Sequence, residues 1–244
     1  MNECGWPRLL PQGDAAIVVE FGDRIDREVS ERVTALADAM RGAAIPGVVE
    51  LVPTFRSLLV HYDPLVLGFP DVAGRARELL AAVRTVDRRL RLVRLPVCYD
   101  EDLAPDLAEV ARLTGMSPCE VVRLHGSVDY HVYMLGFLPG YPYMGDLPEP
   151  LRLPRLTTPR VRVPPRSVAI ANAMTAVYPL ESPGGWRLIG TVPVDLFAIG
   201  RESPALLGPG DRVRFEPAER AAFEDLRAAW AAGDGTLDVE EVAA

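Results

Sequence analysis

Apolar positions change their spacing twice along the chain, and each change marks a different architecture. Residues 15–21, Ala-Ala-Ile-Val-Val-Glu-Phe, make an apolar stretch of strand length. Asp26 then stands as a cap ahead of Val29, Val33, Leu36, Ala37 and Met40, which share one helical face. Pro46-Gly47 breaks that face. Val48–Val52 and Phe55–Tyr62 read as strands joined across Pro53-Thr54. Asp71 caps a second helix with Val72, Ala76, Leu79, Leu80 and Val83 as its buried stripe. Arg91–Val97 reads as a fourth strand. The order βαββαβ is the split-βαβ pattern of a ferredoxin-like domain, a fold that by itself defines no chemistry.

Residues 98–125 predict a helical connection: Pro105–Thr114 carries Leu107, Val110 and Ala111. Ser117-Pro-Cys-Glu120 is a capping box with proline at the first helical position, opening a short helix that ends near His125-Gly126. From Tyr130 the helical spacing stops. Short strands are expected at Tyr130–Phe137, Ser167–Asn172, Thr175–Tyr178, Arg187–Thr191, Val194–Phe197 and Arg212–Phe215, parted by Pro- and Gly-rich turns. That punctuation suits a closed or nearly closed β-barrel. After Pro217 a helix returns, with Phe223, Leu226 and Trp230 on one stripe, and the acidic stretch Asp234 to Glu241 is expected to fray. The fold class is therefore α+β. The domains expected are 1–95 (ferredoxin-like), 96–220 (β-barrel with a helical lead-in) and 221–244 (helix and acidic tail).

Charge and composition narrow the partners. A net charge of -8 argues against nucleic acid, which demands a surplus of basic residues. No apolar run approaches a membrane span and no signal-peptide pattern opens the chain, so a cytoplasmic protein is expected. Cys4, Cys98 and Cys119 have no paired spacing and read as reduced thiols. All 26 basic residues are arginine. The absence of lysine excludes a Schiff-base lysine, a phosphate-loop lysine and a biotinyl-lysine on this chain.

The candidate chemistry lies between His125 and Phe215. His61, His125 and His131 are the three histidines, and none has metal-ligand spacing to another, so no metal site is expected. His125 reads either as an acid–base group or as a charged imidazole favoured by a helix C-terminus. His61 and His131 read as strand-surface residues. Leu151–Arg166 holds Arg152, Arg155, Arg160, Arg162 and Arg166 without an acidic residue, and its prolines keep it extended. Alternation aims Arg160 and Arg162 to one side, either to hold a carboxylate or phosphate or as a solvated edge. Tyr130, Tyr133, Tyr141, Tyr143, Tyr178 and Trp186 either line a pocket or fill a barrel core. Pro/Gly turns are expected to set these groups around a barrel mouth. Gly185-Trp-Arg-Leu-Ile-Gly-Thr191 lacks the lysine of a phosphate loop and reads as a strand.

Longer motifs carry a resemblance. Tyr130-x-Val-Tyr-Met-Leu-Gly-Phe-Leu-Pro-Gly-Tyr-Pro-Tyr-Met-Gly, Thr158-Pro-Arg-x-Arg-Val-Pro, Ser167-Val-Ala-Ile-Ala, Ser182-Pro-Gly-Gly-Trp-x-Leu-Ile-Gly and Leu207-x-Pro-Gly-Asp-Arg-Val-Arg-Phe resemble one carboxyltransferase-domain family. Its members are called allophanate hydrolase subunit 1, Kip-type kinase inhibitor or the B-type subunit of 5-oxoprolinase. The resemblance implies a ferredoxin-like domain followed by a cyclophilin-like barrel, and a heteromer with a paralogous second subunit. It also implies ATP-dependent opening of a small amide or lactam such as 5-oxoproline, with ATP used by the complex and no cofactor held covalently. Two other readings stand beside it: a kinase-docking regulator, and a stand-alone cyclase or isomerase acting on a larger apolar metabolite. Three departures from the family pattern are expected to reshape the pocket. Arg166 replaces a glycine, Asn172-Ala-Met174 replaces Gly-Gly-Gln, and Thr191-Val192 replaces Arg-Thr. The expected substrate contacts are Arg160, Arg162, Arg166, Tyr141, Tyr143, Asn172, Met174, Tyr178 and Trp186, with His125 in proton transfer.

Overall fold

In the computed structural model, which describes residues 5–82 and 89–243, the chain divides between Arg89 and Leu90 into two units. The first contains β1 (Arg8–Pro11), β2 (Ala16–Glu20), α1 (Arg27–Gly42), β3 (Val48–Pro53), β4 (Ser57–Tyr62) and α2 (Phe69–Ala82). Its strands form one antiparallel sheet in the order β1-β2-β4-β3. Ile17, Val19, Leu58 and Val60 from the sheet meet Val33, Leu36 and Val72 from the helices in one apolar core. Asp26 caps α1 as its sequence predicts, accepting from the Glu28 and Val29 N–H groups. Asp71 instead sits inside the first turn of α2 and accepts the Gly68 N–H at 2.9 Å. Val83 lies outside the described residues.

One expected pairing is corrected. The strand at Arg91–Val97 exists as β5 (Arg89–Val97), but it runs parallel to a strand of the second unit, from Arg212↔Leu92 to Pro217↔Val97. The fourth place in the first sheet is filled by β1, from the amino end.

The second unit continues with α3 (Leu107–Thr114), α4 (Pro118–His125), β6 (Tyr130–Leu135), β7 (Pro142–Gly145), β8 (Arg160–Val163), β9 (Ser167–Ala171) and β10 (Met174–Val177). It ends with β11 (Ser182–Gly184), β12 (Arg187–Thr191), β13 (Arg212–Pro217), α5 (Arg220–Ala232) and β14 (Val239–Ala243). Eight strands form a mixed sheet in the order β12-β9-β10-β7-β6-β13-β5-β14. The sheet curls until Cys98, just past β5, exchanges two backbone hydrogen bonds of 3.0 Å with Thr191 at the end of β12. That bridge brings the first strand back to the seventh and makes the sheet barrel-like. β8 and β11 form a separate two-stranded ribbon. The capping box on α4 forms as expected, with Ser117 and Glu120 exchanging side-chain and backbone bonds.

Two further expectations are corrected. Val194–Phe197 is not a strand, since only an isolated bridge joins Phe197 to Ala205. The acidic tail does not fray throughout: its end forms β14 beside β5. Arg94 on β5 gathers Glu216, Asp238 and Glu240 at 3.0, 3.1 and 3.3 Å. The tail's carboxylates thus have a cation waiting for them, which periodicity alone could not show.

Alternation along the central strands divides the unit's apolar groups between two faces. Val168, Ile170, Val177 and Ile189 point into the main core with Leu95, Val132, Met144, Val213 and Phe215. Ala169, Ala171, Ala176, Tyr178 and Leu188 point the other way and join Tyr141, Val163 and Trp186 in a second cluster. Among the described residues, no helix is long and apolar enough to cross a membrane.

Candidate functional site

The second cluster surrounds a cavity of about 270 Å³, lined chiefly by Phe137, Tyr141, Tyr143, Arg155, Tyr178 and Trp186 and by Pro and Gly backbone. It lies on the face of the sheet opposite the main core, not at a barrel mouth. The reason is parity: Tyr178 follows Ala176 onto the outer face, while Thr175 and Val177 turn inward. Tyr141 is the centre of the aromatic group. Its ring meets Tyr143 at 5.0 Å, Tyr178 at 5.1 Å, Phe137 at 5.4 Å and Trp186 at 6.1 Å, three of the four edge-to-face. Such contacts fix ring orientation as well as burying area.

Two glycines make this packing possible. Gly140 takes φ +75° in the turn that delivers Tyr141, and a side chain there would meet Phe197. At Gly184 an added Cβ would stand 2.3 Å from the Tyr178 hydroxyl. That hydroxyl is hydrogen-bonded to Tyr141 and takes the Trp186 backbone N–H. Burial pushes the hydroxyls of Tyr141, Tyr143 and Tyr178 above the usual tyrosine range, so all three stay protonated. The walls are neutral, and Arg155 is the cation beside them, with its guanidinium carbon 5.8 Å from the Trp186 ring centre. A carboxylate or other small anion is the natural complement of that arrangement.

The expected site residues separate in the structure. Tyr141, Tyr143, Tyr178 and Trp186 come together around the cavity. Arg160 and Arg162 do not join them, because each already holds a carboxylate. Arg160 donates to Asp106 at 2.5 Å, and Arg162 forms two bonds to Glu181 at 3.0 and 2.9 Å on the surface. The arginine that reaches the cavity is Arg155, which sequence reasoning placed in the same basic stretch without singling it out. The signal that could have found it is that no acidic side chain among the described residues pairs with it, a three-dimensional property.

The family departures also lie elsewhere. Arg166 occupies a left-handed turn at φ +70°, where glycine is the unstrained choice, and its guanidinium bonds Asp195 at 2.9 Å. Asn172, at φ +52°, opens the exposed two-residue turn between β9 and β10. Met174 packs against the aromatic cluster without lining the cavity. Thr191 serves the bridge to Cys98. Arg166, Asn172 and Thr191 thus stand outside the cavity lining, and Met174 meets the site through the aromatic cluster behind it.

His125 is neither charged nor at the cavity. It is wholly buried on the inner face, stacked on Phe215 at 4.6 Å. Its Nδ1 meets the Tyr99 hydroxyl and its Nε2 the Thr175 hydroxyl, each at 3.1 Å. Thr175 spends its own proton on the Ala169 carbonyl, so Nε2–H donates to Thr175 and Nδ1 accepts from Tyr99. Burial pushes the imidazole pKa down to about 3, which keeps it neutral at pH 7. His131, expected on the strand surface, is fully buried as well.

The second unit is thus a curled, barrel-like sheet with an aromatic cavity on its outer face. The chain belongs to the carboxyltransferase domain family: the model for carboxyltransferase domain, subdomain C and D, matches residues 7–207. It is similar to the B-type subunit of 5-oxoprolinase from Bacillus subtilis (39% identical over 214 residues, covering 83% of this chain and 89% of that one). The corresponding 5-oxoprolinase chain of Escherichia coli O157:H7 is 40% identical over 206 residues, covering 84% and 93%. Among solved structures, TTHA0988 aligns with a TM-score of 0.75 at 42% identity over 85% of this chain. This chain spans 40% of the length of TTHA0988.

Proposed function

We propose that this chain is the substrate-binding B-type subunit of an ATP-dependent complex that opens a small ring amide, with 5-oxoproline as the substrate. The observation that carries this reading is Arg155, a guanidinium with no ion-pair partner among the described residues, set beside an aromatic-walled cavity. At about 270 Å³ the space is below the usual range for drug-sized ligands and suits a small metabolite. The carboxylate of 5-oxoproline would pair with Arg155 while its ring lies against the aromatic wall. Tyr143, whose hydroxyl remains protonated, can donate to the lactam oxygen. Water adds to the lactam carbon, the C–N bond breaks, and the nitrogen takes a proton to give glutamate. In the same turnover the assembled complex hydrolyses ATP, a second water taking the terminal phosphoryl group to give ADP and phosphate, and a paralogous second subunit supplies the remaining groups. The same reading takes the first unit as a ferredoxin-like domain whose edge strand comes from the amino end, and the second as a cyclophilin-like barrel.

The test is reconstitution with the paralogous second subunit and the third protein of such systems, followed by an assay of ATP-dependent glutamate formation from 5-oxoproline. Arg155→Met should lower kcat/KM by about 10- to 100-fold, the value of a charge-assisted hydrogen bond. Arg162→Ala, which removes the surface pair with Glu181, should change it by less than about twofold. Full activity in Arg155→Met would remove the carboxylate role. No glutamate from the wild-type complex would remove the substrate.

A further inference from the structure

We propose that Phe137 is a specificity-determining cover for this cavity, and that the site selects small carboxylate-bearing rings flattened by sp2 atoms, holding them between Phe137 and Trp186. The proposal rests on the reading of the cavity as the substrate site and adds how that site tells one ring acid from another.

Phe137 is unusual in two independent ways. Its backbone lies at φ +66°, a left-handed conformation that a bulky residue adopts at a cost. The strain has a visible cause: Leu138 N–H donates to the Gly136 carbonyl at 2.8 Å, closing a three-residue turn with Phe137 at its centre. Turns of that kind with positive φ are rare and strained. Yet the ring they position is not buried, for Phe137 is 62% exposed. Folding gains little from a strained residue whose aromatic face is left in water.

The geometry of its neighbours supplies a use. Phe137 and Trp186 each stand edge-on to Tyr141, at interplanar angles of 81° and 87°. Both line the cavity, with Tyr141 as their common neighbour. A flat ring entering between them would cover the exposed Phe137 face and gain stacking contacts, while its carboxylate meets Arg155. A ring saturated throughout puckers and makes poorer contact with both aromatic rings. Phe137 belongs to the turn that ends at Gly140 and Tyr141, whose N–H bonds back to Leu138 at 3.0 Å. The strained turn therefore fixes Phe137 and Tyr141 together.

The test compares two ring acids of similar size and charge, planar pyrrole-2-carboxylate and puckered cyclopentanecarboxylate, together with 5-oxoproline. Binding is measured by calorimetry on the full chain, alone and co-produced with its second subunit. Wild type should prefer pyrrole-2-carboxylate and 5-oxoproline to cyclopentanecarboxylate by about tenfold, the scale of one aromatic contact. Phe137→Gly should erase most of that preference. It should also leave the melting temperature unchanged or raise it by up to about 4 °C, because the strained residue is gone. Phe137→Leu should lose the preference, and Phe137→Tyr should keep it. Equal binding of planar and puckered acids by wild type, or an unchanged preference in Phe137→Gly, would overturn the proposal. So would a melting temperature lowered by more than about 4 °C, which would make Phe137 a packing residue, or loss of the second subunit from Phe137→Gly, which would make it a docking contact. If 5-oxoproline turnover persists with an unchanged KM in Phe137→Gly, the cover fails and the proposed function stands. If no ring acid binds either preparation, both fail.

Discussion

Replacing Asp106 with alanine will destabilise the second unit by about 3–5 kcal/mol, the range found when one partner of a buried ion pair is removed. Asp106 precedes α3, and its side chain is 8% exposed. One carboxylate oxygen accepts from Arg160 of β8 at 2.5 Å, and the other accepts the Leu188 N–H of β12 at 2.6 Å. Its own N–H donates to the Leu188 carbonyl at 2.9 Å. One residue thus fastens the ribbon and the sheet edge to the start of a helix. Truncation leaves Arg160 half-buried without its counter-charge, and the Arg160 Nη1 already has no partner among the described residues. Urea unfolding followed by circular dichroism measures the loss, and the melting temperature should fall by roughly 6–20 °C. Asp106→Asn, which keeps an acceptor, should lose less. In a double-mutant cycle, adding Arg160→Met should recover part of the loss, because the stranded charge is gone. A loss below about 1 kcal/mol for Asp106→Ala would show that the anchor is dispensable.

His125→Ala will cost the same unit about 3–5 kcal/mol by opening a cavity against Phe215 and Tyr130 and stranding two hydroxyls. The wild-type residue also makes stability depend on pH. Its folded pKa of about 3 lies below the usual 6.5, so the unfolded chain binds the proton more readily. The contribution is fully present above pH 6.5 and is lost as pH falls toward 3. Between pH 7.5 and pH 5 this group alone should remove about 2 kcal/mol, at about 1.4 kcal/mol per unit below 6.5. His125→Gln, which can still meet Tyr99 and Thr175 but does not titrate in this range, should flatten that slope. Denaturation curves at the two pH values, for wild type and His125→Gln, decide the point. An equal slope in both would place the sensitivity elsewhere.

The sequence was most legible where the signal is local. The cap at Asp26, the capping box from Ser117 to Glu120 and the helix ending at His125 form as their residues dictate. Strand partners were not legible. The β5 strand was readable as a strand, yet its parallel neighbour lies about 120 residues further on, and the placing of the acidic tail needs Arg94 to be seen opposite it. The candidate site divides on the same principle. Aromatic residues clustered in two turns implied the wall of the cavity. The choice of arginine could not be made, because Arg160 is claimed by Asp106, 54 positions away. Nor does spacing tell a buried neutral histidine from a charged one, since the stacking on Phe215 joins residues far apart in the chain.

Because β10 sends Thr175 to the histidine and Tyr178 to the aromatic cavity, its two surfaces share one reading frame. Adding or removing a single residue in the Asn172-Ala173 turn would transpose them, bringing the tyrosine against His125 and aliphatic groups to the ligand side. Substitutions in that loop can be absorbed one at a time, but its length cannot drift. Fold and binding site would be lost together.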